Sequence, residues 1–192
     1  MRLPDYLIAQ FTVVNNNLHE IASDLTPDEL VTRVLPNTNL IGFDLWHIAR
    51  AQDWAAQTMA RGVAEIMEDA RWQPLGSPSH TGIGVGITEA EADAIARSVA
   101  LPDLLAYANA VHQAIVTWLA TLSDDDMDAQ LVVPARLARH PAYLSDAMRE
   151  EVPWMYQQPP VWRCLSPGLG HAREHLALIE LLKHQLRARV SA

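Results

Sequence analysis

The residues best equipped for chemistry are three histidines: His171 and His175 in the run HAREH, and His47 in DLWHIAR. On a helix, residues four apart project from one face with Cβ atoms about 5–6 Å apart, so the imidazoles at 171 and 175 can share one cation. That face continues through Leu178, Leu182 and Leu186, which predicts that the pair points inward at the top of a helical core. Two buried imidazoles with no carboxylate on their face cost desolvation unless something binds them. Alone, the His-x-x-x-His pair is a weak motif, and two imidazoles satisfied separately by backbone or water fit it as well. His47 adds weight because it too sits on an apolar face, between Phe43 and Ala51. Inward histidines from two long helices match a recurring way of building a metal site inside a bundle. Three protein ligands with a fourth position open is the catalytic pattern of zinc.

Other residues bear on this trio. His112 falls on an inner helix face, where core packing is its expected role and a fourth ligand position the alternative. Asp44, three residues before His47, is placed to orient that imidazole as a hydrogen-bond acceptor, and is a weak candidate for a catalytic role. Glu174 lies between the paired histidines but off their face, as a general base or a solvated charge. Cys164 is the single cysteine, so neither an internal disulfide nor a multi-cysteine metal site is available; a small buried apolar role is expected for it. Trp72, Trp154, Tyr156 and Trp162 are candidates for a pocket mouth, against a default of buried packing.

The elements that must position these groups read as helices. Leu7, Phe11, Val14, Leu18, Ile21 and Leu25 recur at spacings of three and four, predicting a first helix from about Pro4 to Leu25. Thr26-Pro27-Asp28-Glu29 is a capping box that opens a short helix through Thr32. A second long helix is predicted from Asn37 or Asn39, either a capping residue, to Arg61, stopped at Gly62, with Leu40, Phe43, His47, Ala51, Trp54 and Thr58 on its inner face. Residues 71–87 form a proline- and glycine-rich loop whose length points to function or mobility. Its GIGVG stretch lacks the strand and the Lys-Ser/Thr of a phosphate-binding loop. Thr88 and Glu91 cap a further short helix, and a third long helix runs from about Pro102 to Leu122 with His112 inside. Ser123 followed by three aspartates starts another turn. Residues 130–166, cut by five prolines, are only partly helical, and the last helix follows Pro167-Gly168 to about Arg189. Without strand signals or repeats, four long amphipathic helices predict an all-α, four-helix bundle with short extra helices and long loops, as one domain over 1–192.

Composition agrees. The chain has 192 residues, 49% hydrophobic and 19% charged, as in a folded globular protein. A net charge of -9 argues against nucleic acid, since no counterion release can be gained on a phosphate backbone. No apolar run approaches the roughly 20 residues that span a bilayer. MRLPDYLIAQFTVVNNN lacks the pattern of a secretory signal, so a cytoplasmic location is expected.

The stretches NTNLIGFDLWHIARAQDW, LPDLLAYANAVHQAIVTWLATLSDDDMD and GHAREHLALIELLKHQL together resemble the DinB-like (YfiT-like) superfamily of small bacterial bundle proteins. The resemblance covers most of the chain outside roughly 63–87 and 130–165. It implies an up-down-down-up bundle and a site for a divalent metal, often zinc or nickel, at His47, His171 and His175. It also implies frequent homodimers. Characterised relatives include transferases and isomerases that use low-molecular-weight thiols such as bacillithiol or mycothiol. The proline-rich segment 130–165 departs from the compact family pattern.

Three functions follow as expectations. In the first, a metal enzyme acts on a small-molecule substrate by activating a thiol, since a coordinated thiol is readily deprotonated. In the second, the ion activates water for hydrolysis; His-x-x-Glu-His matches the inverted zinc-protease pattern, with Glu174 as base but no third glutamate ligand. In the third, the metal is structural or belongs to a stress-associated binding module. A fourth protein ligand, His112 or Asp44, would favour that reading. A di-iron site is disfavoured because it wants paired Glu-x-x-His motifs.

Overall fold

Capping residues and prolines decide where the helices begin. The structure is a computed structural model, and it describes residues 1–75, 82–138 and 140–190. Ten α-helices are present among these: α1 (Leu3–Ala22), α2 (Pro27–Val31), α3 (Ile41–Asp53), α4 (Glu89–Ser98), α5 (Leu101–Leu119), α6 (Asp124–Asp128), α7 (Val133–Leu137), α8 (Asp146–Glu151), α9 (Val161–Leu165) and α10 (Gly170–Val190). No strand occurs among the described residues, only a bridge between Gln130 and Pro160, so the fold is all-α. Capping boxes at Thr26/Glu29, Thr88/Glu91 and Ser123/Asp126 start α2, α4 and α6, each with its side chain accepting from the backbone N–H three residues on. α1 and α5 carry proline in the first turn, where the missing N–H costs nothing. Both end about three residues earlier than the apolar spacing predicts, because Leu25 and Leu122 pack from the following turns.

Helices α1, α5, α3 and α10 pack in a ring, α1 on α5, α5 on α3, α3 on α10 and α10 on α1. That arrangement is consistent with a four-helix bundle. A continuous apolar core runs between them, with Phe11, Val14 and Leu18 from α1, Leu104, Val111 and Ile115 from α5, and Leu176, Ile179 and Leu182 from α10.

α3 departs most from expectation. It starts at Ile41, with Leu40 at the cap position making no side-chain cap; neither Asn37 nor Asn39 caps it. Asn37 takes a left-handed conformation (φ 62°), which asparagine tolerates, and Asn39 donates to the Asp44 side chain at 2.9 Å. The predicted inner face is also too narrow, because every residue from Leu40 to Ala60 is buried. α4, α5, α10 and α2 cover this helix on several sides. Its polar residues therefore point into protein, and most have been given partners there.

Beyond Asp53 the helix widens into a π-helix, Trp54–Arg61, and stops at Gly62 in the left-handed conformation (φ 69°), as predicted. A Cβ at Gly62 would also approach the Arg136 side chain at 3.1 Å. That guanidinium donates to the carbonyls of Met59 and Ala60 at 2.6 and 2.7 Å, satisfying the open end of the helix. Residues 130–166 fold back over this end as α7, α8, α9 and single 3₁₀ turns.

Candidate metal centre

His47 comes from the middle of α3, and His171 and His175 from the first turns of α10. Gln52 Nε2 donates to the Gly168 carbonyl at 2.9 Å, which ties α3 to the segment from which α10 starts. The structure brings the three rings together: His47 Nε2 is 2.8 Å from His171 Nε2, which is 3.1 Å from His175 Nε2. One nitrogen from each lies within 4.8 Å of the others.

The outer nitrogens explain why the inner ones converge. His47 Nδ1 is 2.5 Å from the carbonyl of Ile83. A carbonyl only accepts, so Nδ1 carries the proton and Nε2 presents a lone pair. His175 Nδ1 is 3.1 Å from Asp44 Oδ1, which fixes the same tautomer. Two lone pairs thus face His171 Nε2, whose ring can supply one proton to one of them. A cation satisfies all three. Around a tetrahedral zinc with Zn–N of about 2.0–2.1 Å, neighbouring nitrogens lie about 3.3 Å apart. The two contacts to His171 are slightly tighter than this and all three nitrogens lie within 4.8 Å of one another, so small side-chain shifts bring the donor set around one metal ion. Burial first, then repulsion from His175, pushes the His47 imidazole down to about 4, and burial and His175 lower His171 as well. Both rings are therefore neutral, and able to ligate, at ordinary pH.

The segment from Gly82 to Gly86 supplies the Ile83 carbonyl. Gly82, Gly84 and Gly86 all have positive φ, and a Cβ on Gly84 would lie 2.8 Å from the Phe43 ring. These glycines let the backbone press against α3 beside His47. The GIGVG stretch is thus a wall of the histidine site. Residues 76–81 of the predicted 71–87 loop, His80 among them, lie outside the described residues.

Other placements differ from the sequence expectation. Asp44 orients His175 across the helix interface, not His47 on its own helix, because the Ile83 carbonyl already occupies His47 Nδ1. Its Oδ2 is buried without a hydrogen-bond partner. His112 is not brought to the trio; its Nε2 is 3.2 Å from Thr12 Oγ1, between α5 and α1. The buried stripe of α10 is Ala172, Leu176, Ile179, Leu182 and Leu186, so Leu182 and Leu186 face inward as predicted while the histidines and Leu178 lie on the flank. His171 is 36% exposed and His175 15% exposed, at the rim of the core and not inside it. Glu174 is 81% exposed, with Oε2 3.9 Å from His171 Nδ1. Cys164 is buried and its thiol is pushed up to about 12 by that burial. Of the aromatics, Trp72 packs on Tyr107, the Tyr156 hydroxyl donates to the Tyr143 carbonyl, Trp162 is 39% exposed, and Trp154 lines a cleft beside His171.

Two clefts meet at the trio. One, of 460 Å³, is bordered by His47, His175, Asn39, Thr88 and the glycine segment. The other, of 390 Å³, is bordered by His47, His171, Trp54, Trp154, Met148 and Val152. Residues 130–165 contribute the last three of these, so the proline-rich segment builds one wall of the site.

One turn further along α3 lies a buried charged cluster that the sequence reading missed. Arg50 donates to Asp53 Oδ2 at 3.0 Å, Glu65 Oε2 at 2.5 Å, and the hydroxyls of Tyr107 and Tyr143 at 2.9 and 3.1 Å. Asp53 also accepts from Tyr107 and from the amides of Ile66 and Met67. Burial opposes the Arg50 charge, but Tyr107, Tyr143, Glu65 and Asp53 outweigh it and hold its pKa well above the ordinary value. The i, i+3 spacing of Arg50 and Asp53 was the available signal; nothing local marks Glu65 or the tyrosines.

No curated protein matches the chain significantly. The profile that describes the DinB superfamily matches residues 10–179, which includes all three histidines. The chain belongs to the DinB superfamily.

Proposed function

We propose that the chain is a metal-dependent enzyme in which His47, His171 and His175 hold one divalent ion, zinc foremost and nickel as the alternative. It uses a low-molecular-weight thiol to transfer onto, or isomerise, a small-molecule substrate. One observation carries this reading: three Nε2 atoms converge with two of their rings anchored from behind, and two of these side chains border an open cleft. A structural zinc has its coordination completed by protein. Here His112 is bonded elsewhere, and Asp44 gives Oδ1 to Asn39 and His175 with Oδ2 buried and unpartnered.

Such an ion, when bound, supplies Lewis acidity that lowers the pKa of a coordinated thiol or water. The protein's part is to hold and orient. The Ile83 carbonyl and Asp44 fix the two tautomers, and the cleft walls hold the substrate against the open side. Cys164, buried and with its thiol near 12, offers no nucleophile, so the thiol has to come from outside. Purified chain loaded with zinc or nickel is expected to conjugate a low-molecular-weight thiol to an electrophile, and His171→Ala to lose that rate. Equal rates for the two proteins overturn the proposal.

The position of Glu174 on the border of the same cleft favours hydrolysis as a second reading, with its carboxylate taking up the proton. Glu174→Gln then abolishes hydrolysis while leaving thiol transfer nearly unchanged.

A further inference from the structure

The two clefts that meet at the trio are walled differently. The 460 Å³ cleft presents Asn37, Thr38, Asn39 and Thr88, amides and hydroxyls, beside the glycine backbone. The 390 Å³ cleft presents Trp54, Trp154, Met148, Val152, Ile83 and Ala51. At about 30 Å³ for each water-sized group it has room for roughly a dozen of them, the size of a small organic molecule. Trp54 and Met148 belong to the buried core, so this cleft has an apolar floor as well as apolar walls. Among the described residues, the carboxylates that line it are Glu151 and Glu174, and no lysine or arginine does. Both act electrostatically on His171, which places them beside the trio.

A divalent ion on the trio would be the largest local charge, so it enters the count first. The histidines ligate as neutral rings. The ion's two positive charges, with the exposed Arg163 at 5.1 Å from the Trp154 ring, then balance Glu151, Glu174 and Asp44 behind His175. The surroundings as a whole favour neither sign. A charge carried on the ligand away from the ion loses its hydration against apolar walls, with nothing there to pair it. An apolar body gains instead, by about fourfold in affinity for each methylene buried. We propose that the 390 Å³ cleft is the substrate subsite, and that it takes an uncharged apolar or aromatic body with its polar end toward the trio, against bodies that carry a charged group of their own. The assignment rests on the enzymatic reading above and names the substrate class of that same site.

Hydroxamates test it on the full chain loaded with zinc: acetohydroxamate, and benzohydroxamates carrying a para methyl, trimethylammonium or sulfonate group. The shared head binds zinc, and only the body differs. Dissociation constants are measured by calorimetry at pH 7.5, with the zinc content determined on the same sample. The methyl compound is expected to bind at least tenfold more tightly than acetohydroxamate and than either charged analogue. One new carboxylate in each cleft then locates the body. Val152→Asp, in the half-buried wall of the 390 Å³ cleft, is expected to weaken the methyl compound at least tenfold and to remove its lead over the trimethylammonium analogue. Asn37→Asp, at an exposed left-handed position of the 460 Å³ cleft that aspartate tolerates, is expected to leave every ratio unchanged. A charged analogue binding as tightly as the methyl compound, a methyl compound no tighter than acetohydroxamate, or ratios that shift with Asn37→Asp in place of Val152→Asp would each overturn the proposal. A chain that holds no zinc overturns it together with the enzymatic reading. Failed conjugation beside the expected affinities ends that reading alone, and conjugation beside indiscriminate binding ends the subsite alone.

Discussion

Two polar clusters sit side by side on α3 and differ in what they leave unsatisfied. Around Arg50, one guanidinium meets two carboxylates and two phenols, and the carboxylates take up further backbone and hydroxyl donors. Around His47, three imidazoles aim acceptor nitrogens at one another, and a buried oxygen of Asp44 has no partner. Buried polar groups are costly unless paired. A closed network is therefore a scaffold, whereas an open one at the rim of the core marks where a ligand belongs. The two are joined through two consecutive peptides: Arg50 Nε donates to the Gly82 carbonyl at 3.4 Å, and the next carbonyl, of Ile83, anchors His47.

The sharpest way to break the contrast is to open the closed cluster. Arg50→Met leaves Asp53 and Glu65 facing each other without a cation, and truncating one side of such a buried pair costs about 3–5 kcal/mol. Denaturant unfolding is expected to show that loss, together with weaker zinc binding through the slackened Gly82–Ile83 peptide. A variant as stable as the parent would make the cluster dispensable.

A smaller effect comes from pH. The His47 pKa is about 4 in the fold against about 6.5 unfolded. Between those values the unfolded chain binds a proton that the fold refuses, so stability falls as pH drops from about 6.5 and levels off near 4. For the metal-free chain the loss from this group is about 3 kcal/mol, since each pKa unit is worth about 1.4 kcal/mol. His47→Gln is expected to flatten the profile measured by thermal unfolding against pH. A profile already flat in the parent would place the ring in a solvated, unconstrained state.

The finest probe is Asp44→Asn. It keeps the shape but weakens the hold on His175 Nδ1, and loss of such a partner typically costs 10–100-fold in metal affinity. Competition with a chelator should register that drop with little change in unfolding midpoint. Unchanged affinity would reduce Asp44 to a packing role.

Much of this was legible in advance, for reasons that differ by element. Capping boxes at Thr26 and Thr88, the turn starting at Ser123 and the stop at Gly62 are local backbone chemistry, and the structure has them where the residues predict. The helix faces were less legible. In α3, polar residues such as Arg50, Gln52 and Asp53 look like a solvated side, yet each is buried against partners distant in sequence. In α10 the spacing that pairs His171 with His175 predicts an inward-pointing pair at the top of the core, but a stripe about 100° wide leaves room for them on its flank.

What the sequence determined by itself was the inventory: all-α architecture, three histidines able to share a cation, an acidic chain with one cysteine. These follow from local spacing, propensity and composition, which do not depend on which parts of the chain meet. Tertiary structure alone decided that a backbone carbonyl anchors His47, that Asp44 serves His175, that His112 stands apart, and that residues 130–165 wall a cleft. Those facts depend on contacts between segments 36 to 131 residues apart, where side-chain type no longer says which neighbour packing will bring within reach.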